Sequence, residues 1–129
     1  NTHALAMLVN AGVVVRNQSV LLRKVNDSAQ TLRTLCKALT NRRVVPYYLH
    51  QLDLAHGTSH FRVPIHEGIE LMRELQGTTT GIALPRYMLD IPNGKGKIPL
   101  QYSFLTEQED GSYLAENFFR EKITYVEPK

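Results

Sequence analysis

Apolar residues in the first ninety positions alternate between a helical and a strand-like spacing. Ala4, Leu5, Met7, Leu8 and Ala11 fall on one side of a 3.6-residue repeat, which predicts a helix over about 2–11 with Gly12 as its stop. Val13-Val14-Val15 then opens a β-branched run, predicting a buried strand to about Ser19. Asp27-Ser28-Ala29-Gln30 has the D-x-x-Q form of a capping box. The helix it starts places Ala29, Leu32, Leu35, Cys36 and Leu39 on one face and ends near Asn41. Val44 to Leu52 predicts a second strand, with Pro46 near its start, where a missing donor is tolerated. Pro64 suits the first turn of a helix striped by Ile65, Ile69, Met72 and Leu75, and Gly81 to Leu89 predicts a third strand.

The predicted order, α-β-α-β-α-β with short connections, is that of parallel βα units in an α/β fold. Three strands with their helices make only part of a barrel or sheet, so an exposed parallel edge is expected to self-associate or to need further neighbours. After Pro92 the character changes. Asn93-Gly94-Lys95-Gly96-Lys97 reads as a flexible loop. Leu100 to Thr106 and Ser112 to Phe118 read as a hairpin closed around Glu109-Asp110-Gly111, with Lys122 to Tyr125 as a short added strand. The division expected is therefore 1–92 as βα units and 93–129 as the lysine-bearing loop and a β extension.

Composition narrows the function classes. The 129 residues suffice for one modest domain, and 43% apolar content excludes wholesale disorder. No apolar run is long enough to span a membrane, and the N-terminus has no basic region followed by an apolar one, so neither membrane nor signal peptide is expected. The start, without Met and inside a helical pattern, suggests a piece of a longer chain. The net charge is +3, but the basic residues are scattered among acidic ones, and no nucleic-acid partner is expected. Cys36 is the single cysteine, which precludes an intrachain disulfide, suits a reducing, cytoplasmic setting, and cannot by itself hold an iron–sulfur cluster.

In βα folds chemistry collects where strands end. Gln18 lies near the end of the first predicted strand, Asp53 follows the second and Asp90 follows the third. Singly, a Gln there bonds a loop and an Asp caps a turn. Together, on successive parallel strands, they aim at one mouth, and two carboxylates at a mouth suit an ammonium ligand or a metal. The nearby His50, His56 and His60 have no recognised metal-ligand spacing. Lys97, soon after Asp90, can bind an anion, lie in solvent or form a Schiff base with an aldehyde cofactor. Its loop is neither G-x-G-x-x-G nor a Walker motif.

The blocks Asn17-Gln18-Ser19-Val20-Leu21-Leu22-Arg23 with Val25-Asn26-Asp27, Pro46-Tyr47-Tyr48-Leu49-His50-Gln51-Leu52-Asp53, His60-Phe61-Arg62-Val63-Pro64 and Asp90-Ile91-Pro92-Asn93-Gly94-Lys95-Gly96-Lys97-Ile98-Pro99 resemble, in order and spacing, the lysine 2,3-aminomutase family. The resemblance covers nearly the whole chain. It implies an isomerase that interconverts L-lysine and β-lysine with pyridoxal 5′-phosphate (PLP), S-adenosylmethionine (SAM) and a [4Fe–4S] cluster. It also implies a homo-oligomer, and a fold that is the C-terminal portion of a radical SAM-type βα barrel followed by the hairpin-containing extension. By the same resemblance, Lys97 matches the lysine that holds PLP as a Schiff base. Asp53 and Asp90 match the carboxylates that bind the distal ammonium of substrate lysine. Gln18 and His50 match positions in the SAM and PLP vicinity.

The chain also departs from the family. Lys95 stands where the family usually has Gly, and His50 replaces a Tyr of the catabolic enzymes. Tyr47-Tyr48-Leu49-His50 is similar to the relative that makes β-lysine for translation elongation factor P, whereas the segment after Pro99 is similar to the catabolic type. The C-x-x-x-C-x-x-C cluster motif is not in these 129 residues, so this stretch alone is expected not to run the reaction. Two other readings stand beside this one: a non-catalytic assembly or binding module, and a different α/β enzyme using Asp53, Asp90 and a His as a metal or hydrolase site.

Overall fold

The architecture follows from where the apolar stripes find cover. The structure is a computed structural model and describes residues 2–128. Along the chain run α1 (Thr2–Asn10), β1 (Arg16–Val20), α2 (Ala29–Thr40), β2 (Val45–His50), α3 (Ile65–Thr78), β3 (Arg86–Asp90), β4 (Lys97–Pro99), β5 (Leu105–Glu107), β6 (Tyr113–Glu116) and β7 (Lys122–Tyr125), with 3₁₀ turns at Ser59–Phe61 and Gly81–Ala83. β1, β2 and β3 are parallel neighbours, and β4 closes antiparallel on β3. The mixed α/β architecture with parallel βα units is the one the hydrophobic pattern predicts.

The helices α2 and α3 cover one face of this sheet. Leu32 and Leu75 from the helices meet Leu21, Leu49, Val63 and Tyr87 in one buried cluster. Burial of each such side chain contributes about 1.5–3 kcal/mol. Strand side chains alternate between faces. With Leu49 and Tyr87 turned to the helices, Tyr48, His50, Met88 and Asp90 belong to the other face, which bears the candidate chemistry.

Four local readings need correction. Ser28, not Asp27, caps α2: its backbone is extended and its Oγ accepts the Thr31 N–H at 3.2 Å. The Asp27 carboxylate is spent on the Lys24 N–H and on Arg23. Val13–Val15 is not strand, because the chain turns out of α1 through Gly12 at φ 81°. The Gly12 N–H bonds the Val9 carbonyl and the Val13 N–H the Leu8 carbonyl. The third strand starts at Arg86 rather than Gly81, since residues 81–83 form a 3₁₀ turn and Pro85 brings no donor. Finally, Lys97 is not on a flexible loop. It opens β4, and residues 91–96 are the tight turn of a β3–β4 hairpin, with Asn93, Gly94 and Gly96 all left-handed and the Ile91 N–H on the Gly96 carbonyl at 2.8 Å.

The second sheet, β5-β6-β7, is antiparallel and holds the hairpin expected in the extension, in shorter strands. Its turn is fixed by the Gln108 N–H on the Ser112 carbonyl and by the Asp110 carboxylate, which accepts from Ser112. Arg120 and Arg73 tie it to α3, the first through Glu70 at 2.9 Å and the second through the Phe118 carbonyl at 3.2 Å. At the far side of the first sheet, β1 is an edge strand and α1 buries none of its residues; Met7 is 61% exposed. Among the described residues no helix is long and apolar enough to cross a membrane.

Candidate functional site

The site is assembled by strand register. β3 and β4 pair so that Asp90 stands directly opposite Lys97. Lys97 Nζ lies 3.0 Å from Asp90 Oδ1. On the other side, His50 at the end of β2 reaches Asp90 Oδ2 with Nδ1 at 2.9 Å. The same ring places Nε2 2.9 Å from Oε1 of Gln18 on β1. Four adjacent strands thus contribute one polar side chain each to a continuous chain, Gln18–His50–Asp90–Lys97. With the Gln18 carbonyl facing in, both ring nitrogens of His50 donate and the ring is cationic. Rotating the amide by 180° makes Nε2 an acceptor and the ring neutral.

This arrangement holds the Asp90 carboxyl below the usual carboxylate range. Its hydrogen bond from Lys97 is the largest cause and that from His50 adds to it, while partial burial works the other way. Tyr48, stacked on Tyr47 with hydroxyls 3.0 Å apart, presents its ring to Lys97 and to the His50 imidazole. Lys97 Nζ lies 5.5 Å from the ring centroid, and His50 meets it edge-on at 5.5 Å. The hydrogen bond of Tyr48 with the Tyr47 hydroxyl, which favours the neutral phenol, is the largest cause holding Tyr48 above its ordinary value, and partial burial adds to it.

Asp53 is placed differently. It lies past the end of β2 and is exposed. Asp53 and Asp90 both line a cleft of about 740 Å³, between the β2 exit and the β3–β4 turn, whose walls include Leu52, Leu54, Ile65, Leu89 and Pro92. Among the described residues the Asp53 carboxylate has no hydrogen-bond or ion-pair partner, although Arg62 lines the same cleft. An apolar-walled cleft with two carboxylates suits a ligand with a methylene chain and a cationic end. No three His, Cys, Asp or Glu residues cluster as metal ligands among the described residues.

Of the five residues singled out in the sequence, His50 and Asp90 end their strands, Lys97 opens β4, Asp53 lies just past β2, and Gln18 stands in the middle of β1 rather than near its end. Four form one hydrogen-bonded chain, and Asp53 joins Asp90 at the cleft. Reasoning from sequence gave no role to Tyr48 or Arg62. Both stand inside the blocks that carry the resemblance, but neither sits at a strand end, the signal used to choose candidates.

Comparison with known proteins adds the family. The family model described as Lysine-2,3-aminomutase matches residues 72–129. The L-lysine 2,3-aminomutase of Clostridium subterminale is 41% identical over 128 residues, 99% of this chain and 31% of that protein. A putative L-lysine 2,3-aminomutase of Treponema pallidum is 53% identical over 92 residues, 71% of this chain and 26% of that protein. The glutamate 2,3-aminomutase of Clostridioides difficile is 41% identical over 101 residues, 78% of this chain and 24% of that protein. The chain therefore spans less than a third of the length of these relatives. With the sequence similar along nearly its whole length and the family model matched over residues 72–129, the chain belongs to the lysine 2,3-aminomutase family, whose C-terminal part it represents.

Proposed function

We propose that this chain is the part of a lysine 2,3-aminomutase that holds PLP through Lys97 and the distal ammonium of substrate lysine through Asp53 and Asp90. One observation carries the reading: Lys97 stands opposite Asp90 in the β3–β4 hairpin, and Asp90 and Asp53 line one apolar-walled cleft. The residues fit an aldehyde cofactor, because Lys97 is a primary amine whose side chain is 37% exposed and so open to an incoming carbonyl. When bound, the cofactors of this reading supply the radical and its delocalisation: PLP carries the migrating nitrogen, and SAM cut at a [4Fe–4S] cluster gives a hydrogen-abstracting radical.

The chain's own residues bind and orient. Asp90 Oδ1 holds the Lys97 ammonium until that amine is taken up. His50 keeps Oδ2 occupied and so fixes the carboxylate plane. The apolar walls exclude water from the methylene chain, and a fixed counter-charge at its far end limits where the substrate's C3 can lie. The acids also bear on substrate choice. Two carboxylates at one cleft attract an ammonium and repel a side-chain carboxylate, which favours lysine over the glutamate named for the Clostridioides relative. In this reading the β1–β3 units belong to a parallel βα barrel completed by residues upstream, residues 93–129 form the extension bearing Lys97, and the complete enzyme is a cytoplasmic homo-oligomer.

The test is cofactor attachment. Borohydride reduction of the complete, PLP-loaded enzyme is expected to fix the pyridoxyl group on Lys97, and Lys97→Ala is expected to abolish both the fixed group and the visible cofactor absorbance. An unchanged spectrum in Lys97→Ala, or a pyridoxyl group mapped to Lys95, would sink the assignment.

A further inference from the structure

Arg62 lines the cleft beside Asp53 yet does not pair with it. Its Nη1 donates to the Leu52 carbonyl and its Nη2 to the Asp53 carbonyl, each at 2.8 Å. The guanidinium fork thus bridges two successive peptide units at the exit of β2. The carbonyls flanking Arg62 are pinned in turn. The Phe61 carbonyl accepts the Arg23 N–H at 2.8 Å, and the Val63 carbonyl accepts Gln51 Nε2 at 2.9 Å. Val63 and Gln51 are buried, and the Gln51 N–H is fixed on the Met88 carbonyl at 2.8 Å. Segments 51–53 and 61–63 are therefore stitched together, with Arg62 as the stitch that reaches farthest out. Beyond it, residues 53–57 are all exposed.

We propose that Arg62 is a positioning residue for substrate lysine: by gripping the backbone at Leu52 and Asp53 it aims the Asp53 carboxylate into the cleft and leaves that carboxylate unneutralised for the incoming ammonium. The inference rests on the reading of Asp53 as an ammonium ligand. An arginine that commits one N–H of each Nη to a carbonyl gives rigidity without consuming the neighbouring carboxylate. A lysine at position 62 has one ammonium and no planar fork, so it reproduces the charge but not the two-point grip.

The experiment compares lysine with norleucine, which lacks only the distal ammonium, as ligands of the complete PLP-loaded enzyme. Dissociation constants are read by calorimetry for wild type, Arg62→Ala, Arg62→Lys, Asp53→Asn and the Arg62→Ala/Asp53→Asn double variant. Asp53→Asn is expected to lower the preference for lysine over norleucine by about tenfold, the scale of one ion pair at a partly solvated cleft. Arg62→Ala is expected to lose most of the same preference while norleucine binds as before, Arg62→Lys to recover only part of it, and the double variant to be no worse than Asp53→Asn alone. A general loss of packing would weaken both ligands alike, and that outcome overturns the proposal. Unchanged preference in Arg62→Ala beside a reduced one in Asp53→Asn overturns the role of Arg62 and leaves the ammonium site standing. Tighter lysine binding in Arg62→Ala also overturns it, because the guanidinium would then act as a repelling charge. Unchanged preference in Asp53→Asn removes the ammonium reading itself and the inference with it.

Discussion

Asp90 and Asp53 share one cleft but are built in opposite ways. Asp90 is wired into the sheet: it ends β3, faces Lys97 across a hairpin and accepts from His50, so its charge is shared between two partners. Asp53 is held only through its backbone, and its carboxylate is open. Both acids belong to one functional reading, yet a strand register can place a carboxylate only among the side chains of neighbouring strands. A loop anchored through its carbonyls can present one with no partner at all. A cleft that must capture a flexible ammonium gains from having both, one charge fixed in place and one still unpaired.

The comparison breaks most completely at Gly68, because one buried contact supports both acids. The Tyr87 hydroxyl donates to Gln51 Oε1, so the strand that ends in Asp90 is joined to the residue two before Asp53. Tyr87 packs where Gly68 has no side chain; a Cβ there would lie 2.6 Å from Tyr87 Cζ. Burial pushes the Tyr87 phenol up to about 12, which keeps it a donor across the working range. Gly68→Ala is expected to destabilise the protein by about 1–3 kcal/mol through overpacking. It should also weaken lysine binding through both acids at once, seen as a lower denaturation midpoint and a reduced lysine-over-norleucine preference. Wild-type stability in Gly68→Ala would show that Tyr87 has room to move and that the two acids are braced separately.

The sequence disclosed the two acids unequally. The βα order, the helix-facing stripe and the placement of Asp53 and Asp90 at strand ends follow from hydrophobic period and chain order, which are local properties, whereas Gln18 stands mid-strand because β1 begins only at Arg16. The chain Gln18–His50–Asp90–Lys97 was not legible, because it depends on register: Asp90 meets Lys97 only because three left-handed residues, Asn93, Gly94 and Gly96, fold 91–96 into a tight turn. Read as composition, the same residues suggest a flexible loop. Arg62 was hidden for another reason. Its partners are carbonyls, and the sequence does not mark which carbonyls lack a partner within the sheet.

A second way to sharpen the contrast uses the fact that Lys97 already occupies the oxygen of Asp90 that the proposed substrate ammonium would take. Two cations then compete for one carboxylate, whereas Asp53 has no such internal competitor. Lys97→Met, in the complete enzyme without PLP, is therefore expected to bind lysine about fivefold more tightly than the cofactor-free wild type, the scale of a solvent-screened ion pair. Asp90→Asn should erase that gain and Asp53→Asn should preserve it. Calorimetry on the cofactor-free proteins decides. Equal affinity in wild type and Lys97→Met would mean that the Lys97–Asp90 pair does not compete with the substrate.

The smallest effect is on stability against acid. The Asp90 carboxyl is held below its ordinary value, first by Lys97 and then by His50. A depressed carboxyl contributes stability that is present above the unfolded-state carboxyl range and is lost as pH falls through the folded-state value. Asp90→Asn should therefore lower the melting temperature slightly at neutral pH, by little because the group is 38% exposed and its pairs are screened. The gap from wild type should close as pH is taken down through the carboxylate range, and added salt should narrow it at neutral pH. Melting curves at stepped pH and two ionic strengths measure this. A gap that stays constant into strong acid would mean that Asp90 supports the fold by shape rather than by charge, and the contrast between a wired and an open carboxylate would lose its electrostatic basis.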